Sequence, residues 1–321
     1  MSDGGLIVSL GRHGPLLALL ALIVLNILIT PNFLTLQTLN VNLTQVCTIV
    51  IVAVGMTLVI ATGGIDLSVG SLMAIAGALA PMIFLGTLFT IEPVWLAVTV
   101  AILVALGATA LLGAFSGWLI ARFNIQPIVA TLVLFIAGRG IAQVMTNGNL
   151  QVFKVPEFQF IGLGRMFGIP VQAILMLIFV VVAAWALRRT VFGRQVLAIG
   201  GNDRAAVLAG VPVARVKIAV YAISGFLAGI AGLIVVAINS ASDANLVGLG
   251  IELDAIAAVA VGGTLLTGGR ATVWGTLVGA FTIQIVRYTL LANGVPDAAA
   301  MVVKAAIIVA AVWLQQRGKR A

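Results

Sequence analysis

Apolar residues run through this chain in long blocks separated by short polar or glycine-rich stretches. The blocks fall near 15–30, 44–61, 67–85, 94–120, 127–146, 171–187, 217–238, 252–264, 272–291 and 297–314. A helix needs about 20 apolar residues to cross a bilayer, so the pattern predicts about ten transmembrane helices. The block 252–264 is too short to cross alone and must share its depth with its neighbours. The sharpest interruption lies between Leu58 and Ala76. There an apolar run stops at Gly63-Gly64, brings Asp66, Ser68 and Ser71 close together, and resumes as an apolar helix. A carboxylate at the bilayer centre costs about 2.5–3.5 kcal/mol on insertion scales. The pattern therefore predicts a broken helix whose polar groups face protein, water or a solute path.

Composition narrows the class. The chain is 62% hydrophobic and 8% charged, with a mean hydropathy of +1.24, whereas soluble domains carry about 25% charged residues. The expected fold is an all-α polytopic membrane protein, with residues 1–321 forming a single transmembrane domain. The 36 glycines suit close helix packing, and Gly113-xxx-Gly117, Gly225-xxx-Gly229 and Gly275-xxx-Gly279 each set two small residues on one helix face. The net charge of +8 does not point to nucleic acid, because Lys and Arg gather at block ends and in the stretch 188–217. In that stretch Arg188, Arg189, Arg194, Arg204, Arg215 and Lys217 stand against Asp203 alone, which predicts a cytoplasmic loop. Arg12 and the tail residues Arg317, Lys319 and Arg320 predict cytoplasmic N- and C-termini, in keeping with six spans before the loop and four after. Leu16 to Ile29 has the look of a signal peptide but lacks a small-x-small site before Pro31, so it is expected to persist as the first span. With Cys47 and His13 the only residues of their kinds, no disulfide framework, Cys/His metal site or cofactor is expected.

The motifs of covalent chemistry are missing. No G-x-x-x-x-G-K-[ST], H-E-x-x-H or G-x-S-x-G occurs, so the chain is expected neither to bind ATP through a P-loop nor to hydrolyse a substrate. The polar constellations have both a structural and a functional reading. Asp66 or Ser68 caps the following helix, or the break at Asp66, Ser68 and Ser71 exposes polar groups to a solute. Asp243 and Asn245 precede Glu252 and Asp254. The last two lie two apart, on different helix faces, and either cap the short block at its positive end or join Asp243 and Asn245 at the outer mouth of a path. Arg139 and Gln143 share a helix face, and a buried Arg139 needs a partner, with Asp66, Glu252 and Asp254 as candidates. Gln284 and Arg287, three apart, pose the same question. Gly200-Gly201 predict a turn, after which Asn202 caps a short helix ending at Gly210. That helix either docks on a soluble partner or lies on the membrane surface. Asn147, Gly148, Pro156 and Pro170 make 147–170 a turn-rich external cap. Finally, Ala61-Thr62-Gly63-Gly64 echoes Val261-Gly262-Gly263-Thr264, a repeat or a coincidence of glycine-rich helices.

Several blocks, in order, carry a family likeness: V-G-M-T-L-V-I (54–60), G-G-I-D-L-S-V-G-S (63–71), I-Q-P-I-V-A-T-L (125–132), G-R-G (138–140), T-N-G (146–148), F-G-R-Q-V-L-A-I-G-G-N (192–202), A-G-V (209–211), E-L-D-A-I-A-A-V-A-V-G-G-T (252–264) and G-T-L-V-G-A (275–280). Across roughly residues 30 to 310 they resemble the membrane permease of ribose-type sugar ABC importers, and I-A-T-G-G-I-D-L-S-V-G with S-A-S-D-A-N looks most like its galactofuranose-type members. The resemblance implies a multi-pass permease of the bacterial cytoplasmic membrane. It would pair with a second copy or a paralogue within the lipid, receive a monosaccharide from a periplasmic sugar-binding protein, and be driven by a separate ATPase subunit. It also implies that the ATPase pushes on 193–215, through Gly200, Gly201, Asn202, Asp203, Arg204 and Gly210. The substrate pathway is expected to involve Asp66, Ser68, Ser71, Arg139, Asp243, Asn245, Glu252 and Asp254. Aromatics at 7% argue against a tight ring-stacked sugar site in this subunit. An ion-coupled sugar transporter using Asp66 or Glu252, and an intramembrane transferase using Glu252 with Asp254, are the competing classes.

Overall fold

The computed structural model describes residues 4–296, 298–303, 305–307 and 309. Arg317, Lys319, Arg320 and much of the tenth apolar block lie outside the described residues. The helices are α1 (Gly4–Ile29), α2 (Leu36–Ala61), α3 (Val69–Phe84), α4 (Val94–Phe123), α5 (Pro127–Met145), α6 (Pro156–Leu163), α7 (Val171–Arg189), α8 (Val191–Gly201), α9 (Asp203–Leu208), α10 (Val213–Asn239), α11 (Ile251–Val261) and α12 (Val273–Ala292). Each of the first nine apolar blocks has become a helix. Among the described residues, α2, α4, α5, α7, α10 and α12 are long and apolar enough to cross a membrane alone. The 16-residue α3 and the 11-residue α11 are not.

The bundle has an inside that its sequence hides, because its spanning helices are apolar on nearly every face. Burial separates them: 83% of the apolar stretch of α2 is inside and 61% of that of α10, against 33% for α4 and 28% for α5. Thus α2 is the central post and α4 and α5 form the rim. Leu111, Trp118, Ile136, Val144 and Trp185 stand exposed on α4, α5 and α7, a surface that suits hydrocarbon and not water. Small residues set the closest approach. On α4, a side chain at Gly113 would overlap the carbonyl of Tyr221, and Gly117 rests on Ile218. Facing them on α10, Gly225 and Gly229 meet Thr109. Two predicted glycine pairs thus face each other across one helix contact.

The two ends of the bundle differ. At one end α6 lies over α10, Gln159 donates to Ser240, and the two-residue strand Gln151–Val152 pairs antiparallel with Ala241–Ser242, in the register Gln151 with Ser242. The cap predicted for 147–170 is this structure. At the opposite, basic end lie α8 and α9. There α2 and α11 stop in the same way. Gly63 and Gly263 take φ of +82° and +83°, and Gly64 and Thr264 send their N–H groups back to the carbonyls of Val59 and Val259. This is the glycine-terminated helix end in which orphan carbonyls are satisfied by reversing the chain. The echo between the two sequences is therefore real at the level of local geometry.

The turn predicted at Gly200-Gly201 is not formed, because both residues close α8. A Cβ on Gly200 would overlap the carbonyl oxygen of Ala61 and the amide nitrogen of Gly269. The glycine is needed for close approach and not for chain reversal. The chain turns one residue later, at Asn202, whose side chain accepts from Ala205 N at 3.0 Å and caps α9. Helix α9 closes before Gly210 through bonds from Gly210 N to Val207 O and Val211 N to Ala206 O.

Candidate functional site

The two short helices begin inside the bundle, and their N-termini meet. Gly70, in the first turn of α3, touches the backbone at Gly248, and a Cβ there would lie 2.6 Å from a carboxylate oxygen of Glu252. Two positive helix ends facing each other favour nearby acids, and the first turn of α11 supplies Glu252 and Asp254, both buried. Arg139 completes this node from α5. Its guanidinium donates to the carbonyls of Ala244 (2.9 Å), Val247 (2.6 Å) and Gly70 (3.3 Å). The hydrogen bonds of Arg139 go to backbone carbonyls, while Glu252, one of the expected acids, lies near enough to interact with it through charge. The re-entrant segment 244–248 folds back against α3 and presents those carbonyls to the guanidinium. Further out, Asp243 accepts from the backbone and side-chain amides of Asn245, and Gln143 donates to the Asn245 side chain at 2.8 Å.

Asp66 lies elsewhere, deeper toward the basic end. It is fully buried, and its carboxylate accepts from Ser68 N (3.0 Å), Ser68 Oγ (2.6 Å) and Ser224 Oγ (2.7 Å). Ser68 occupies the N-cap position of α3, yet its side chain makes no capping bond. The cap predicted for Asp66 or Ser68 is replaced by an Asp-Ser turn clamped onto α10. Ser71 donates to Ser68 O and across to Leu134 O, which pins α3 to α5. The break after Gly64 is thus held by its own polar residues.

A cavity of about 470 Å³ opens between α2, α10, α11 and α12. Thr44, Gln45, Thr48, Asn239, Gln284 and Arg287 make its polar wall, joined by Asp254, with apolar residues such as Ile49, Met73 and Val235 between them. It shares Thr44, Gln45 and Ile238 with a second cavity of about 680 Å³ that reaches Gln37 and Asn40 in the first turns of α2 and Arg165 beside α6. The path therefore leads to the α6 end. Toward the basic end it meets close-packed backbone: Thr57 Oγ1 lies 2.8 Å from Thr276 Oγ1, and Gly262 and Gly279 leave no room for side chains between α11 and α12. Of the pathway residues read from the sequence, Asp254 is on this wall. Glu252, Arg139, Asp243 and Asn245 brace the segment that forms one side, Ser71 pins α3 to α5, and Asp66 with Ser68 sits beneath. Gln45, Thr48 and Asn239 were not singled out from sequence. Their signal is a spacing: Gln45 and Thr48 are three apart on α2, facing Gln284 and Arg287, three apart on α12.

At the basic end Asp203 pairs with Lys217 at 2.7 Å. Arg204 is exposed beside it, and Leu208 at the end of α9 is 89% exposed. From α9 the chain of contact runs through α8 to Gly200, and from there to Ala61 and Gly269, which are themselves joined by the bond from Gly269 N to Ala61 O at 3.1 Å.

Comparison with known proteins adds to this geometry. The profile of a family described as branched-chain amino acid transport system / permease component matches residues 39–312. The chain is 40% identical over 306 residues to the ribose import permease protein RbsC of Escherichia coli, covering 94% of this chain and 92% of that protein. It is 40% identical over 275 residues to the galactofuranose transporter permease protein YtfT of the same organism, covering 86% and 78%. It is 34% identical over 313 residues to the L-arabinose ABC transporter permease protein AraH of Azospirillum brasilense, covering 98% and 90%. No solved structure matches the chain. The likeness read from the ordered sequence blocks is met, and the ribose and galactofuranose proteins are matched at the same identity.

Proposed function

Since the chain belongs to the branched-chain amino acid transport system / permease component family, we propose that it is the transmembrane permease of an ATP-binding-cassette importer that passes a monosaccharide across the cytoplasmic membrane. Its relatives named for ribose, galactofuranose and arabinose support a sugar as cargo. The observation that carries the reading is the polar cavity, open toward the α6 end and closed by backbone contacts toward α8 and α9. A polar path with one sealed end is what alternating access requires.

In this reading the basic α8–α9 end faces the cytoplasm, as the excess of Lys and Arg there favours, and the remaining span returns the C-terminus to the same side. That gives ten transmembrane helices with cytoplasmic termini. The exposed Asn202, Asp203, Arg204 and Leu208 present a capped helix to an ATPase subunit, with Gly210 ending it. Gly200 and Gly201 carry the displacement of that helix to α2. A periplasmic binding protein delivers sugar at the α6 end, and the apolar rim of α4 and α5 meets lipid and a second permease. Asp254 touches the path, and Asp66, Ser68, Ser71, Arg139, Asp243, Asn245 and Glu252 hold the moving segments in register.

The test is copurification of the tagged permease from native membranes, followed by uptake into proteoliposomes. An ATPase subunit should come with it, and sugar uptake should require ATP. Uptake that persists without the ATPase and collapses with an uncoupler would replace this reading with ion-coupled transport.

A further inference from the structure

We infer that the cavity between α2, α10, α11 and α12 is the sugar's transit site, and that its contacts with the cargo are neutral amide and hydroxyl groups led by Gln284, Gln45, Asn239 and Thr48. This inference rests on the proposed function and names where, and by what chemistry, that function is carried out.

The reasoning begins with polarity. Amides and hydroxyls inside an apolar bundle are unfavourable unless they are paired or face a polar occupant. The Gln284 side chain is 1% exposed. Its Nε2 donates to Gln45 Oε1 at 2.6 Å and to Asn42 Oδ1 at 3.3 Å, but its Oε1 has no partner among the described residues. An acceptor left open in such a place is one that a hydroxyl of the cargo completes. Gln45 is the exposed member of the amide pair, so its movement uncovers Gln284. Thr48 sends its proton to the Gln45 carbonyl and keeps its lone pairs for a donor. Asn239 stands exposed at the end of α10, on the same wall.

Charge then selects the class of ligand. Asp254 and Arg287, the acid and the base on this wall, are each already engaged within the protein. The groups on this wall whose hydrogen-bonding capacity is shown to be open, Gln284 Oε1 and the Thr48 lone pairs, are uncharged. A zwitterionic amino acid or a coupling ion would need a charged partner in reserve, whereas a polyol needs matched donors and acceptors, which these amides and hydroxyls supply. The volume of about 470 Å³ lies within the range of small-molecule sites and takes one sugar ring with water. No aromatic side chain among the described residues lines it, so none of them stacks on the ring, and the sugar is held by hydrogen bonds weak enough to let go.

The experiment uses the complete transporter in proteoliposomes, with binding protein and ATPase, supplied in turn with radiolabelled D-ribose, L-arabinose, D-fructose, D-galactose and leucine. Uptake and ATP hydrolysis are measured together. With the sugar that the wild type imports, Gln284→Leu and Asn239→Leu should each lower uptake by about tenfold, the worth of one hydrogen bond. Hydrolysis stimulated by the loaded binding protein should persist, so that more ATP is consumed per sugar. Gln284→Asn, which keeps the amide, should recover part of the loss. Asn239→Leu lies on an exposed position and decides the matter if Gln284→Leu does not assemble. Wild-type sugar uptake that neither variant changes would overturn the transit site and leave the importer reading intact. Uptake of leucine without any sugar would overturn both.

Discussion

Asp66 shows what a single residue does here. Its carboxylate gathers three donors from Ser68 and Ser224 in a fully buried place, which joins the start of α3 to the middle of α10. Asp66→Ala would strand the Ser68 and Ser224 hydroxyls, at about 1–3 kcal/mol for each buried group left unpaired. Asp66→Asn keeps an acceptor for Ser68 and presents an N–H to the Ser224 oxygen, so most of the pairing survives. The expected order of thermal stability in detergent is wild type, then Asp66→Asn close below it, then Asp66→Ala well beneath both. An Asn variant as unstable as the Ala variant would show that the negative charge, and not the hydrogen bonds, holds the turn. The motif itself was legible, since an acid and paired glycines in an apolar block are conspicuous. Its partner was not, because Ser224 lies 158 positions away on a helix whose inward face is, Tyr221 aside, otherwise apolar. Arg139 was legible in part: the charge of Glu252 shows in the sequence, but the backbone carbonyls that hold its guanidinium do not.

At the scale of elements, apolar blocks located the helices and most of their ends, although α1 already begins at Gly4 and α2 at Leu36, well before their blocks at 15 and 44. The block too short to cross, 252–264, is the half-helix α11. Block length could not tell why Gly200 is glycine. In a local reading two adjacent glycines make a turn; in the fold one of them is the contact where α8 rests directly on α2 and on the α11–α12 connection. Backbone against backbone has no flexible side chain to absorb a displacement, so movement of α8 must move Ala61 and the break that follows it. Gly200→Ala forces these segments apart, while Gly201→Ala has open space around its new methyl. In the assembled transporter, Gly200→Ala should therefore cut uptake far more than it cuts ATP hydrolysis, and Gly201→Ala should leave the ratio near that of the wild type. Equal ratios in the two variants would remove the glycine contact from the coupling route. The cap of α9 belongs to the same route. Replacing Asn202, Asp203 and Arg204 together with Ala removes a cap worth about 0.5–2 kcal/mol from a six-residue helix, and should abolish sugar-stimulated hydrolysis while membrane insertion is retained.

The whole molecule has one conformation on view: a path leading from the α6 end to Gln284 and Asp254, with α2, α11 and α12 sealed below it. Composition revealed a membrane bundle, but not which helix is its centre, because α2 and α4 are equally apolar and differ only in what surrounds them. The access state follows from that hidden difference, and it can be read chemically. Cys47 is the chain's single cysteine, and it is buried with its thiol donating to Leu43 O. Replacing it with Ala leaves a background in which Gln45→Cys, two residues away on the cavity side of α2, is the only thiol. A membrane-impermeant maleimide added from outside intact cells should label that cysteine in the resting transporter, since Gln45 borders both cavities. Trapping the ATPase partner with vanadate should slow the labelling if nucleotide drives the path shut at the α6 end. A control cysteine at Thr57, which lies in the seal on the same helix about 18 Å further along, should stay unlabelled from outside in both states. Labelling of Thr57→Cys at the rate of Gln45→Cys would mean that the path is continuous in the resting state, and the chain would then conduct as a pore instead of alternating.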